Sequence, residues 1–262
     1  MASCSEVGCA NKLLSLCVGI LVCGRCALSV STVMDPAVAT SAAAAPTTAA
    51  AAAAGSSFEP TESVVLSKDV VLLRGMAPAL QQELCDALRA CPTFFECNNE
   101  KTRHIDMLHL GWHELRGKLR LVAPIPPLYA RIAREAQALV AERHSMLRTL
   151  PTIAADVAVV NAYKREARLG MHVDRRSMLH PGIPVVAISL GESAEFVFKT
   201  SWKQRAATQR VILRSGDVLV FGGKARGIVH GMDRLVAGSA PAGLELGAQA
   251  SWRRLCITLR QS

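Results

Sequence analysis

The chain of 262 residues has few aromatic side chains, and no segment of it is suited to crossing a bilayer. Phe, Trp and Tyr together make up 4% of the chain, so each Trp and Tyr merits individual attention. Residues 13–24 form an apolar run of twelve residues, whereas a transmembrane helix needs about 20. The sequence therefore predicts no membrane span. A run of this length also suits a signal-peptide core, and import through the N-terminal segment stays open.

The chain also lacks the cysteine pattern of a disulfide-stabilised protein, although it contains nine cysteines. Five of them crowd into the first 26 residues, and Cys23 and Cys26 form a single CxxC with no second pair, so a zinc site is not expected. The other four are spaced irregularly, at Cys85, Cys91, Cys97 and Cys256. Reduced thiols predict an intracellular protein, located in the cytoplasm or the nucleus.

Residues 1–59 differ in composition from the rest of the chain. Within them, residues 36–57 are mainly Ala, Thr, Ser and Pro, which cannot bury enough apolar surface to offset the entropy cost of ordering. We therefore expect a poorly ordered extension with an Ala-rich linker at 1–59 and one folded domain at 60–262. This domain carries 28 basic and 18 acidic residues. Such a surplus fits a polyanionic partner, and equally a solvated basic face.

The folded domain changes in character from helices to strands. Apolar spacing predicts a strand at 64–73 and amphipathic helices at 78–91 and 127–148, with a polar, irregular recognition lid at 92–124. Short apolar runs then predict strands at 153–163, 184–190, 194–198, 209–214, 217–221, 226–230 and 252–260. The expected architecture is mainly β with flanking helices (α+β), built on a double-stranded β-helix, which is the cupin-like jelly roll.

Two histidines and an aspartate are the candidate metal ligands. His172 and Asp174 are two residues apart after a predicted strand, so on an extended chain their side chains point to the same side. His230 ends a later strand and is the candidate third ligand. Two His and one carboxylate on one face leave open positions on iron(II), as oxygen chemistry requires. By itself, a His-x-Asp pair is a weak signal and is better explained by a surface histidine near a carboxylate.

The last predicted strand alternates between polar and apolar side chains. One face carries Arg254, Cys256, Thr258 and Arg260, and the other carries three aliphatic residues. Two arginines on the same face as a threonine either face solvent or bind an anion inside a barrel. Guanidinium geometry suits a dicarboxylate such as 2-oxoglutarate.

Taken together, these segments resemble the AlkB family of 2-oxoglutarate-dependent nucleic-acid dealkylases over about residues 110–261. The matching motifs are Leu110-Gly-Trp112, Asn161-Ala-Tyr163, Leu169-Gly-Met-His172-Val-Asp174, Val185–Gly191, Phe196-Val-Phe198, Ser215–Gly223, Arg226 to Gly231, and Arg254–Arg260. The resemblance implies iron(II), 2-oxoglutarate and O2 as cofactor and cosubstrates. It places iron on His172, Asp174 and His230. It also implies 2-oxoglutarate contacts from Asn161, Tyr163, Arg254, Thr258 and Arg260.

The resemblance also suggests substrate contacts, and here the chain departs from the family pattern. Trp112 would stack on the target base, unless it only anchors the lid to the core. Arg176 stands where bacterial-type members often carry an acidic residue, and Lys118 stands at about the place of an aromatic partner in the lid. Cys256 replaces a usual Asn. A candidate phosphate track comprises Lys164, Arg165, Arg168, Arg175 and Arg176.

The predicted function is oxidative demethylation of N-alkylated bases in DNA or RNA, with single strands as the expected substrate and a monomer as the expected state. The products would be formaldehyde, succinate and CO2. Two alternatives stay open. One is an oxygenase of the same fold that hydroxylates a protein or a small molecule. The other is a nucleic-acid-binding module without turnover, for which a broken iron or 2-oxoglutarate set would be the sign.

Overall fold

Strands dominate the part of the chain that the computed structural model describes, which is residues 56–262 without 93, 98–101, 116, 175–181, 203–205 and 248. Most of the predicted extension at 1–59 therefore lies outside the described residues. The helices are α1 (Pro78–Asp86) and α2 (Pro127–Arg143). None of the described helices is long and apolar enough to cross a membrane.

Twelve strands make up the sheet. They are β1 (Glu62–Ser67), β2 (Val70–Arg74), β3 (Phe95–Cys97), β4 (Thr102–Leu115), β5 (Lys118–Leu121), β6 (Val157–His172), β7 (Val185–Gly191), β8 (Ala194–Lys199), β9 (Gln209–Leu213), β10 (Val218–Phe221), β11 (Val229–Leu235) and β12 (Trp252–Arg260). Single-turn 3-10 helices lie at Ala87–Ala90, Ser145–Leu147 and Gly223–Gly227.

The sheet is antiparallel and curls on itself in the order β1-β2-β10-β7-β12-β6-β11-β8-β9. The long strand β6 makes the curl possible, because it pairs first with β12 and then, from Leu169 to His172, with β11. Strand β4 pairs with β6 and also carries β3 and β5. The prediction of a mainly β jelly roll with flanking helices is confirmed.

Alternate residues of these strands face two apolar cores. Val71 and Leu73 of β2 pack in the core that α1 and α2 cover, whereas Val70 and Leu72 point into the curl of the sheet. Strand β12 divides in the same way, with Leu255, Ile257 and Leu259 toward the helices and Cys256 toward the interior. The predicted division of 252–260 into two faces is therefore correct.

The predicted strand at 64–73 is wrong in one respect, since it is a hairpin of β1 and β2. Asp69 adopts a left-handed backbone with φ 63° and turns the chain between them. Both predicted helices exist but end early, at Asp86 and Arg143.

The prediction of an irregular segment at 92–124 is wrong, because most of it is strand. β4 pairs with β6 over much of its length, and β5 folds back on the end of β4. Polar residues obscured this strand in the sequence: Asp106, His109 and His113 are all buried in β4. A recognition role remains a prediction for the hairpin formed by β4 and β5.

Candidate metal centre

The three predicted metal ligands meet where β6 and β11 pair. His172 and His230 are direct cross-strand partners, and Asp174 follows β6 by two residues. One ligand atom from each of the three residues lies within 4.8 Å of the others. His172 Nε2 is 3.8 Å from Asp174 Oδ1, and His230 Nε2 is 3.9 Å from Asp174 Oδ2. The arrangement can hold one metal ion.

Hydrogen bonds to the backbone set the tautomer of both histidines. His172 Nδ1 lies 2.9 Å from the carbonyl oxygen of Gly170, and His230 Nδ1 lies 3.2 Å from that of Ile228. A carbonyl oxygen can only accept, so each Nδ1 carries the hydrogen and donates it. The Nε2 lone pairs are therefore left for a metal, which is the usual arrangement of metal-binding histidines.

Charges around Asp174 keep this carboxylate ionised. Burial by itself would raise its pKa, but Arg260, His230, His172 and Arg226 together hold the pKa well below its usual range. The Arg260 guanidinium is the nearest of these groups, with Nη1 3.2 Å from Asp174 Oδ1. Burial lowers the pKa of His230 to about 4, so this imidazole is neutral at pH 7. An ionised carboxylate and a neutral imidazole are the states that bind a metal.

The residues predicted to contact 2-oxoglutarate line the curl beside the metal ligands. Asn161 and Tyr163 on β6 pair with Cys256 and Arg254 on β12. Buried atoms without a hydrogen-bond partner in the described structure are Asn161 Oδ1, Asp174 Oδ2, Arg254 Nε and Arg260 Nε. Buried polar atoms nearly always have a partner, so this cluster indicates where a polar ligand fits.

Arg254 is the largest fully buried side chain described. Its Nη1 donates to the carbonyl oxygen of Glu192 at 2.8 Å, and its Nη2 donates to Ser189 Oγ at 2.7 Å. No described carboxylate lies within ion-pair distance of this guanidinium. The structure therefore rules out the solvent-facing alternative for Arg254. A buried cation held only by neutral groups is costly unless an anion joins it.

Comparison with known proteins agrees with this geometry. Residues 68–260 match the family model of the 2OG-Fe(II) oxygenase superfamily. AlkB of Escherichia coli is 30% identical over 154 residues, which cover 56% of this chain and 68% of AlkB. The chain belongs to the AlkB family of 2OG-Fe(II) oxygenases. Membership implies iron(II), 2-oxoglutarate and O2, and the donor set described above suits both the metal and the dicarboxylate.

Two further relatives within this family are informative. The DNA N(6)-methyladenine demethylase ALKBH1D of Arabidopsis thaliana is 39% identical over 140 residues, 51% of this chain and 31% of the plant protein. The solved structure of OsALKBH1 has 27% sequence identity and a TM-score of 0.66, and the match covers 77% of this chain and all of that one. The chain spans about a third of the length of the Arabidopsis relatives that it matches.

The predicted substrate residues lie on the hairpin of β4 and β5 where the structure describes them. Trp112 pairs with Leu121, and 43% of its surface is exposed, which argues against a role as a core anchor. Lys118 is exposed at the start of β5. Arg176 lies outside the described residues. The roles of these three residues toward a base stay predictions.

Two features of the site escaped the sequence analysis. Arg226 is buried, and its Nη1 donates to the backbone carbonyl of Asp174 at 3.4 Å, which helps to place the metal-binding loop. The sequence signal that could have indicated this role is the position of Arg226, four residues before His230. His109 and His113 on β4 are buried and stack with ring centroids 4.4 Å apart. Burial is the main reason that the pKa of His109 falls to about 3.

Proposed function

We propose that the chain catalyses the oxidative demethylation of an N-methylated base in nucleic acid. Bound iron(II), 2-oxoglutarate and O2 would supply the oxidant that hydroxylates the methyl group, which then leaves as formaldehyde, with succinate and CO2 as the other products. The observation that carries the proposal is the joint arrangement of the site. Two histidines with fixed tautomers face an ionised Asp174, beside a buried Arg254 that has no acidic partner among the described residues.

The proposal assigns one role to each side chain of the candidate metal centre and the adjoining pocket. His172 and His230 would bind the metal through Nε2, and Asp174 through its carboxylate. Arg254 would pair with one carboxylate of 2-oxoglutarate, and Arg260 would hold the other end while keeping Asp174 ionised. Strands β6 and β12 exclude water from these charges, which strengthens every electrostatic contact in the pocket.

N6-methyladenine in DNA is the first substrate to test. Two of the Arabidopsis relatives are named as demethylases of this base. The base is uncharged, and Arg176 stands in the sequence where bacterial-type members often carry an acidic residue, so a cationic methylated base is less expected. The target base has to leave the stack to reach the site, and Trp112 would receive it.

The test is an assay of methylated oligonucleotides with mass spectrometry as the readout. Single-stranded DNA and RNA, each carrying N6-methyladenine, 1-methyladenine or 3-methylcytosine, are incubated with the full chain, iron(II) and 2-oxoglutarate. We expect loss of the methyl group together with release of formaldehyde and succinate, and no reaction with Asp174→Asn. Succinate formation without demethylation of any oligonucleotide would favour a protein or small-molecule oxygenase. Binding with neither product would favour a module without turnover.

We also propose that the enzyme acts as a monomer inside the cell. One chain supplies the whole ligand set, so a second copy is not required to complete it. The thiols of Cys85, Cys91 and Cys256 are free, which supports a reducing compartment. Light scattering after size-exclusion chromatography tests the first point, and microscopy of the full-length protein tests the second, including import through the N-terminal segment.

A further inference from the structure

A groove rich in arginine lies outside the candidate metal centre. It consists of two adjoining cavities of about 580 and 430 Å³, both lined by Arg103, Arg168 and Asp233. Six arginines border the two cavities. Two of these, Arg210 and Arg234, form ion pairs with Glu195, whereas the other four lie on three strands and have no ion-pair partner among the described residues. We call them the groove arginines: Arg103 on β4, Arg165 and Arg168 on β6, and Arg253 on β12.

The groove occupies the opposite face of the sheet from the metal ligands. On β11, His230 belongs to the metal centre, whereas Gly231 and Asp233 line the groove. Strand β8 shows the same alternation, with Phe196 and Phe198 inside and Val197 in the groove. Successive residues of a strand point to opposite faces. The groove is therefore a separate surface on the outside of the curl.

The charge of this surface is not neutralised by the protein. All four groove arginines are exposed, and none forms an ion pair with a described residue. Of the acids in the lining, Asp233 is paired with Arg210, whose Nη1 donates to Asp233 Oδ2 at 2.9 Å, and Glu192 Oε1 accepts the N–H of Gly238 at 2.9 Å. Glu166 and Glu192 are the acids of the described lining left to offset the four groove arginines, so the groove keeps a surplus of positive charge and attracts anions.

The backbone adopts a costly conformation to form this surface. Glu166 and His104 have φ values of 62° and 55°, a region that costs non-glycine residues ~1–2 kcal/mol. Arg165 and Arg168 are three residues apart and would face opposite sides of a regular strand, yet both line the groove, because Glu166 interrupts the alternation between them. Arg103 and Arg168 are cross-strand partners, a pairing of like charges that is unfavourable. Arrangements that cost stability in this way cluster at functional surfaces.

We infer that the groove binds the sugar–phosphate backbone of a nucleic-acid strand, away from the metal centre. The identity of this ligand rests on the proposed function. Guanidinium groups match phosphate in geometry, and the described lining contains no aromatic side chain of the kind that anchors protein interfaces. The groove would hold the nucleic-acid strand at a second place, away from its target base. Its contribution to affinity would not depend on the identity of any base. Of the predicted phosphate track, Arg165 and Arg168 border the groove, Lys164 forms an ion pair with Asp106 at 2.8 Å, and Arg175 and Arg176 lie outside the described residues.

The experiment measures binding of unmodified 20-nucleotide DNA and RNA single strands to the full chain by fluorescence anisotropy across a salt series. One variant replaces the four groove arginines by Gln. A control variant removes the same charge from exposed arginines elsewhere on the surface, namely Arg134, Arg143, Arg148 and Arg214. Four lost phosphate contacts should lower the slope of log K against log salt by about 3, from roughly 0.7 per contact, and the control should change it little. Succinate formation without nucleic acid should be equal in all three proteins.

Equal losses in the groove and control variants, or an unchanged salt slope, would overturn the inference. Polyglutamate that competes for binding as strongly as a DNA strand of equal charge would also overturn the inference. If the quadruple variant unfolds, Arg168→Gln alone should still lower the slope by roughly 0.7. Groove-dependent binding by a wild-type chain that demethylates no base would retain the inference and reject the proposed function. If the groove variant demethylates as fast as the wild type and binds nucleic acid with unchanged affinity, the inference is rejected and the proposed function is retained.

Discussion

The two faces of strand β11 use their polar residues in opposite ways. On the inner face, His230 is buried, neutral and tied to the carbonyl of Ile228. On the outer face, Asp233 borders the groove, and the four groove arginines are exposed and have no ion-pair partner among the described residues. The same strand therefore supports a rigid site on one side and an open charged surface on the other.

This difference agrees with the role that we propose for each surface. Metal binding and oxidation require atoms held in position, and buried side chains with backbone hydrogen bonds provide that. Recognition of a nucleic-acid strand needs charge and stacking surfaces that tolerate variation in the ligand, which exposed arginines and the half-exposed Trp112 offer. Substitutions on the inner face should therefore abolish turnover, and those on the outer surfaces should weaken binding in steps.

The largest effect is expected for Asp174→Asn. The amide keeps the shape of the side chain but removes the negative charge that the metal needs, so succinate formation should fall to background. Succinate yield and iron content together measure the effect. Asp233→Asn, on the outer face of β11, is the matched control and should retain turnover. Wild-type turnover by Asp174→Asn would show that this carboxylate is not a ligand.

Arg254→Lys should have the next largest effect, on the requirement for 2-oxoglutarate. A lysine cannot reproduce the hydrogen bonds of Arg254 to Glu192 and Ser189 while also pairing with a carboxylate. Loss of one partner of such a pair costs ~2–5 kcal/mol, and we expect the lower end, about thirtyfold in the 2-oxoglutarate titration. The control is Arg253→Lys at the exposed neighbouring position. Identical titrations for the two variants would remove Arg254 from the cosubstrate site.

Trp112→Ala should weaken demethylation of oligonucleotides about ten- to hundredfold, because base stacking on an aromatic side chain is worth roughly 1–3 kcal/mol. Formation of succinate without nucleic acid should survive, since the metal centre is untouched. Trp202→Ala removes another exposed indole, on the loop after β8, and serves as the control. Demethylation at the wild-type rate would contradict the stacking role, and unfolding would show that Trp112 anchors the hairpin.

Glu166→Gly should have the smallest effect, an increase in the free energy of unfolding of about 1 kcal/mol. Glycine adopts a positive φ without the penalty that Glu166 carries. Arg168→Gly lies on the same strand and should instead lower stability by about 0.5–1 kcal/mol. Urea denaturation measures both. A loss of stability in Glu166→Gly would mean that the side chain contributes more than its backbone costs, and would weaken the case for a strained groove.

Local patterns in the sequence predicted much of the fold. The alternation of Arg254, Cys256, Thr258 and Arg260 assigned the two faces of β12 correctly, because residues of a strand alternate regardless of the partner strand. The same reasoning failed at 92–124, where buried polar residues such as Asp106 and His113 broke the apolar pattern. Their burial depends on partners distant in sequence: Trp252 donates to Asp106, and the carbonyl of Ala158 accepts from His113.

The sequence by itself determined the family and the candidate ligand set, since His172, Asp174 and His230 occupy motifs whose order and spacing are properties of the chain. Only the tertiary structure decided that Arg254 is buried rather than solvent-facing, that Arg226 supports the metal-binding loop, and that four arginines from β4, β6 and β12 form one groove. The physical reason is that burial and charge compensation depend on which strands pair. In a curled sheet, strand pairing brings together residues that are far apart in the chain. The local periodicity of the sequence does not indicate which strands pair.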